Sequence, residues 1–183
     1  MRILLFRHAT RKRGDPGSDE YIEKRLPLDT AGEEQAKRQG DELIRRGIKP
    51  AAYFTSCFAH AKQTGEILCN MVGGDPPAKV VELCALTPHY QGPRESRGTW
   101  QGISMLQTII RELELTGNDL NKLDVVVFVM HQPRLQQLLA SMTSQSESKF
   151  KVDYSEGVFL RADSLDDFSK GKGQEDGPRL SLQ

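Results

Sequence analysis

Arg2-Ile3-Leu4-Leu5-Phe6-Arg7-His8-Ala9-Thr10 is the stretch from which the rest of the chain can be read. An unbroken apolar run without polar alternation suits a strand buried on both faces, as in parallel sheets covered by helices. The run stops at Arg7-His8, and a polar segment follows to Asp29. Val125–Met130 repeats the pattern: apolar and mostly β-branched, it stops at His131-Gln132-Pro133. Ala51–Thr55, Lys79–Leu83 and Gly157–Ala162 read as three further short strands.

Helical patterns lie between them. Thr30-Ala31-Gly32-Glu33 has the form of a capping box, with Thr30 at the cap and Glu33 three residues on. Ala36, Gly40, Leu43 and Ile44 then share one helical face, which ends near Gly47. Ser56 is expected to cap a second helix carrying Ala61, Gly65, Leu68 and Val72. Ile103, Leu106, Ile110 and Leu113 mark a third helix. Leu135, Leu138, Leu139 and Met142 mark a fourth, with Pro133 at its first turn. Alternating strands and helices predict an α/β domain over residues 1–162, a three-layer α/β/α arrangement around a mostly parallel sheet. From Asp163 the chain mixes Ser, Gly, Lys, Asp and Glu with few apolar residues, so 163–183 is expected to be a flexible C-terminal tail.

Composition narrows the class of partner. The 183 residues fit one domain, and 37% hydrophobic content is enough for a packed core. Balanced charges, 25 Lys+Arg against 25 Asp+Glu, argue against nucleic acid or an anionic membrane as the partner. The longest apolar run, Val125–Met130, is too short to span a bilayer. Cys57, Cys69 and Cys84 have no metal-ligand spacing, and a reduced cytoplasmic setting is expected. The neutral total hides a local excess: residues 1–14 hold Arg2, Arg7, Arg11, Lys12 and Arg13 and no acid.

Ligands of open α/β sheets sit outside the carboxyl ends of the strands. All four histidines, His8, His60, His89 and His131, follow predicted strand ends. His8 and His131 directly end apolar strands, and Arg7 places a fixed cation beside His8. Arginine clamps oxyanions in a forked geometry. A neutral histidine can attack phosphorus, and a second, protonated one can stabilise the transferring group. The set reads as an anion pocket for phosphoryl transfer through a phosphohistidine. Metal binding is disfavoured, because no His-x-x-His or Cys-x-x-Cys spacing exists and Arg7 repels a cation. No metal and no cofactor is expected. Neither a Gly-x-x-x-x-Gly-Lys-Ser/Thr loop nor a Gly-x-Ser-x-Gly elbow is present.

Five motifs in order resemble the histidine phosphatase superfamily, the phosphoglycerate mutase-like proteins. Arg7-His8-Ala9 is similar to its Arg-His-Gly/Ala signature. Leu28–Ala36 resembles its L-T-x-x-G-x-x-Q-A helix start, and Ser56–Thr64 its S-P-x-x-R-A-x-Q-T stretch. Glu82-Leu83 with Leu86-Thr87-Pro88 resembles the segment after its third strand, and Val127–Pro133 its strand followed by G/S-H-x-P. The short chain looks most like the small phosphohistidine phosphatase subgroup.

The resemblance implies that His8 is the nucleophile, that Arg7 binds phosphoryl oxygens and that His131 donates to the transferring group. It implies a cofactor-independent phosphatase acting on a phosphorylated protein (a phosphohistidine) or a small phosphomonoester. One position departs from the pattern: the pocket arginine of S-P-x-x-R-A is His60. Three readings stand. His60 serves as a weaker, pH-dependent clamp; or Arg11, Arg13 or Arg134 replaces the lost charge; or the protein is a phosphate-binding pseudophosphatase with little turnover. Glu95 is the nearby candidate general acid, in a loop that also holds Arg94, Arg97 and Trp100. A mutase-like transferase is disfavoured by the short chain and the missing acid. Ser56 is read as a helix cap, not a nucleophile.

Overall fold

Successive residues of the central strands enter opposite cores, and this fixes the layering. In the computed structural model, residues 1–14, 24–73, 78–83, 86–87, 107–111 and 124–181 are described. Strand β1 (Arg2–Arg7) is followed by α1 (Thr30–Arg45), β2 (Ala52–Thr55), α2 (Ala59–Val72) and β3 (Lys79–Glu82). Then come β4 (Val125–Met130), α3 (Arg134–Thr143), β5 (Gly157–Arg161), α4 (Leu165–Ser169) and β6 (Gln174–Glu175). The six-stranded sheet runs β3-β2-β4-β1-β5-β6. Strands β3, β2, β4 and β1 are parallel to their neighbours; β5 runs antiparallel to β1, and β6 to β5.

On one face Ile3, Leu5, Phe54, Val126 and Phe128 pack with Leu135, Leu138, Leu139 and Met142 of α3. On the other, Leu4, Phe6, Tyr53, Val127 and Val129 pack with Leu43 of α1 and Ala61 and Leu68 of α2. The expected three-layer α/β/α architecture therefore follows from period-2 alternation inside runs that look uniformly apolar. Full burial of each such side chain is worth about 1.5–3 kcal/mol, so β1 and β4 anchor the sheet. Residues 107–111 are helical and lie within the expected third helix; its flanks fall outside the described residues. Among the described residues, no helix is long and apolar enough to cross a membrane.

Two local expectations are corrected. The cap of α1 is Asp29, one residue before Thr30, and its carboxylate accepts from Gly32 N at 2.7 Å. It also accepts from the Thr10 hydroxyl at 2.8 Å, so a carboxylate serves the helix end and the loop after β1 together. Residues 163–183 were expected to be a flexible tail, yet the chain from Ser164 to Ser181 packs on the core. Ser164 caps α4, Phe168 and Leu180 are buried, β6 pairs with β5, and Leu180 exchanges backbone hydrogen bonds with Gly157 at 2.9 Å. Polar composition hid these two apolar anchors.

Candidate active site

The carboxyl ends of β1, β2 and β4 bring three histidines together. His8 directly follows β1, His131 directly follows β4, and His60 is the second residue of α2, just past β2. Ring centroids are 4.3 Å apart for His8 and His60, 4.7 Å for His8 and His131, and 5.1 Å for His60 and His131. All three are buried, and Phe58 lies against the rings of His60 and His131. Each histidine offers a ring nitrogen within 4.8 Å of the other two, so the same cluster is a candidate metal-ligand set. Sequence spacing did not reveal that set, because its members come from three separate elements.

Backbone carbonyls orient two of the rings. His8 Nδ1 lies 2.8 Å from Ala9 O, and His60 Nδ1 lies 3.0 Å from Leu26 O. A carbonyl only accepts, so Nδ1 carries the proton in each neutral ring and Nε2 keeps its lone pair. Burial, then the charge of His60, then the guanidinium charges of Arg7 and Arg11 push His8 down to about 3. A backbone hydrogen bond to Ala9 opposes this only in part. Burial and the charges of His8, His60, Arg11 and Arg7 likewise hold His131 well below the usual histidine range.

Ser56 is not the cap of α2. Phe58 occupies that position without a side-chain cap, while Ser56 Oγ lies 2.5 Å from His131 Nε2. It also accepts from Phe58 N at 3.4 Å. Sequence reasoning assigned Ser56 a role at the helix end; its partner is a histidine from a distant strand.

The motif glutamines and threonine tie the loop after β1 to the helices. Gln35 Oε1 accepts from Thr10 N at 3.0 Å, and Gln63 Oε1 accepts from Leu28 N at 2.7 Å. Thr64 Oγ1 accepts from Ala9 N at 3.2 Å and donates to His60 O at 2.7 Å. These bonds hold the backbone just after His8, the segment before α1 and the start of α2 in one piece.

The arginines divide. Arg7 donates to Val152 O at 2.9 Å, and its guanidinium lies 3.7 Å from the Tyr154 ring centroid. Among the described residues its buried Nε has no hydrogen-bond partner. Arg11 sits opposite Leu28 in an isolated bridge, and its charge acts on both His8 and His131. Arg134, at the first turn of α3, is partly desolvated, and burial lowers its guanidinium from the ordinary value. Arg13 is exposed. The segment Val152–Glu156 went unnoticed in the sequence, yet it lines the site: Ser155 N donates to His8 O at 3.2 Å, and Tyr154 meets the His8 ring edge-on. Glu95, His89, Arg94, Arg97 and Trp100 lie outside the described residues.

No family model matches the sequence, and no curated protein matches it. Solved structures do match. The protein histidine phosphatase SixA, solved with tungstate, superposes with a TM-score of 0.70 at 19% identity, covering 99% of this chain and 97% of that one. A mycobacterial glucosyl-3-phosphoglycerate phosphatase, solved with VO3, gives 0.65 at 17% identity, covering 98% and 99%. The alpha-ribazole phosphatase from Shigella flexneri gives 0.60 at 16% identity, covering 90% and 92%. From its first strand to the packed C-terminal segment, the chain shares the fold of these phosphatases.

Proposed function

We propose that the protein is a phosphatase that works through a phosphohistidine on His8. The observation that carries this reading is the state of His8: buried, held neutral, and fixed through Nδ1 so that Nε2 keeps its lone pair. In the first step Nε2 attacks phosphorus in line with the leaving group; the P–O or P–N bond breaks, its electron pair stays with the leaving group, and the leaving group takes a proton from solvent water. In the second, water attacks phospho-His8 and releases inorganic phosphate, and the imidazole returns to its starting state. Arg7 and Arg11 supply positive charge for the phosphoryl oxygens, and His131, held by Ser56, lies within reach of the same group.

The solved structures that share the fold include a protein histidine phosphatase and phosphatases of small phosphorylated molecules. Both substrate classes stay within the proposal: a phosphohistidine protein or a small phosphomonoester. Neither needs a cofactor in this scheme. The test compares wild type with His8→Asn on p-nitrophenyl phosphate and on a phosphohistidine peptide. Wild type is expected to turn over at least one, and a rapid quench is expected to trap one acid-labile phosphoryl group on His8. Equal turnover in His8→Asn excludes the mechanism.

A second reading rests on His60. Where the motif has an always-charged fork, this chain has an imidazole, which favours a phosphate-binding protein with little turnover. Binding of inorganic phosphate by wild type, without turnover of either substrate, supports that reading over the first.

A further inference from the structure

We propose that His8, His60 and His131 form a three-imidazole site for a borderline divalent metal ion such as zinc. Three observations carry it. The candidate ligand nitrogens lie within 4.8 Å of one another although they come from three separate segments, those following β1, β2 and β4. A tetrahedral ion with bonds of about 2.0–2.1 Å places its nitrogens roughly 3.3 Å apart, so small side-chain rotations close the set. The side chains are already desolvated, with relative exposures of 6%, 1% and 4%.

The second observation is the outer layer of hydrogen bonds. His8 and His60 each hold Nδ1 against a backbone carbonyl, Ala9 O and Leu26 O. A ligating histidine usually has such an acceptor on its other nitrogen, because it fixes the ring and raises its basicity. The partner of His131 is the Ser56 hydroxyl, on Nε2, so His131 would ligate through Nδ1 with Nε2–H donating to Ser56 Oγ.

The third is the donor set itself. It contains imidazole nitrogen and no carboxylate. Magnesium and calcium want oxygen ligands, whereas zinc, cobalt, nickel and copper suit imidazole. Three protein ligands leave a position open. Arg7 and Arg11 oppose a bare cation but favour an anion, so the open position suits hydroxide or an oxyanion more than neutral water. Sequence spacing argued against a metal because it looked for ligands close in the chain. An arginine at position 60 would have removed the site altogether, since a guanidinium does not ligate. An ion there uses the lone pair of His8, so a loaded chain is unable to attack phosphorus. That consequence rests on the proposed function, but binding does not.

The test is calorimetric titration of the full chain with Zn2+ alone, paired with the visible spectrum of added Co2+. Wild type is expected to bind one ion at micromolar or tighter affinity and to give the intense absorption of low-coordinate Co2+. His60→Arg and His60→Gln, each checked for an unchanged far-UV spectrum and melting profile, are expected to weaken binding at least tenfold. A His89→Ala variant and a triple variant, Cys57→Ser, Cys69→Ser and Cys84→Ser, are expected to keep it. Absence of binding in wild type overturns the proposal, and so does binding that survives both His60 variants or disappears with the cysteines. No step of this test requires turnover, so it stands apart from the phosphatase assay.

Discussion

His8 and His60 lie with ring centroids 4.3 Å apart and planes tilted by 58°. Two imidazoles this close, both buried, cannot be protonated together without strong repulsion in a medium of low effective dielectric. The fold answers by keeping His8 neutral, and the electrostatic behaviour of the whole pocket follows from that choice.

Acid should therefore destabilise the protein well above the carboxylate range. In the unfolded chain His8 takes up a proton near its ordinary pKa of 6.5, whereas in the fold it does so near 3. Between those values the unfolded state binds more protons, so stability is full above 6.5 and falls as pH drops. His131 adds to the effect in the same direction. Each histidine contributes a slope of up to about 1.4 kcal/mol per pH unit. Urea unfolding between pH 7 and 4 should show a shallower slope for His8→Asn than for wild type; equal slopes would contradict it.

Arginine at position 60 should change the chemistry more than the fold. His60→Arg restores a bidentate cation beside His8, and turnover of p-nitrophenyl phosphate is expected to rise by roughly 10² to 10³-fold. An unchanged rate with an unchanged melting temperature would mean that Arg11 already supplies the charge.

Glycine at position 32 is dictated by contact with the site loop. A Cβ there would sit 1.9 Å from Thr10 O, a backbone atom two residues past His8. Gly32→Ala should therefore push the start of α1 and the loop apart, lowering the melting temperature by several degrees and turnover with it. Gly47→Ala tests the opposite case: nothing lies within 4 Å of its Cβ, but its φ of +65° carries the ordinary penalty, about 1 kcal/mol. A Gly32 variant no worse than the Gly47 one would refute the clash.

The C-terminal segment should matter to stability. Leu180 is fully buried, and Leu180→Ala is expected to cost about 2–5 kcal/mol in urea unfolding. Removing residues 170–183 also deletes β6 and Arg179, which bonds Lys151 O at 3.0 Å and pairs with Glu156 at 3.6 Å. A truncated chain with a wild-type melting profile would show that these contacts contribute nothing.

Much of this was legible in order along the chain. The apolar runs Ile3–Phe6 and Val125–Met130 announced the central strands, because burial on both faces leaves no polar position to disguise them. His8 and His131 were readable for the same reason: His131 is the first polar residue after its run, and His8 follows its run with only Arg7 between. What escaped was whatever depends on distant segments meeting. Nothing in Ser56 indicates His131, nothing in Leu26 indicates His60, and Val152–Glu156 carries no periodic signal, yet its backbone and Tyr154 hold Arg7. The C-terminal error had another cause: Phe168 and Leu180 are isolated apolar residues in a polar stretch, and the core they reach is built from β1, β4 and β5. Charge arithmetic was accurate but blunt, since a net value of zero says nothing of where Arg7 and Arg11 gather.

Strand β1 finds both of its sheet neighbours far along the chain. Its two sheet neighbours, β4 and β5, come from residues 125–161, and Arg7 N and His8 O find their partners at Glu156 and Ser155. While the chain emerges from a ribosome, an apolar strand with both edges open must therefore wait for more than half of the sequence to be synthesised. Such a strand invites association between nascent chains, and closing it late makes folding slow. Holding that segment apart during synthesis is a natural task for a chaperone, and expression conditions that slow aggregation should raise yield more than any change at the pocket.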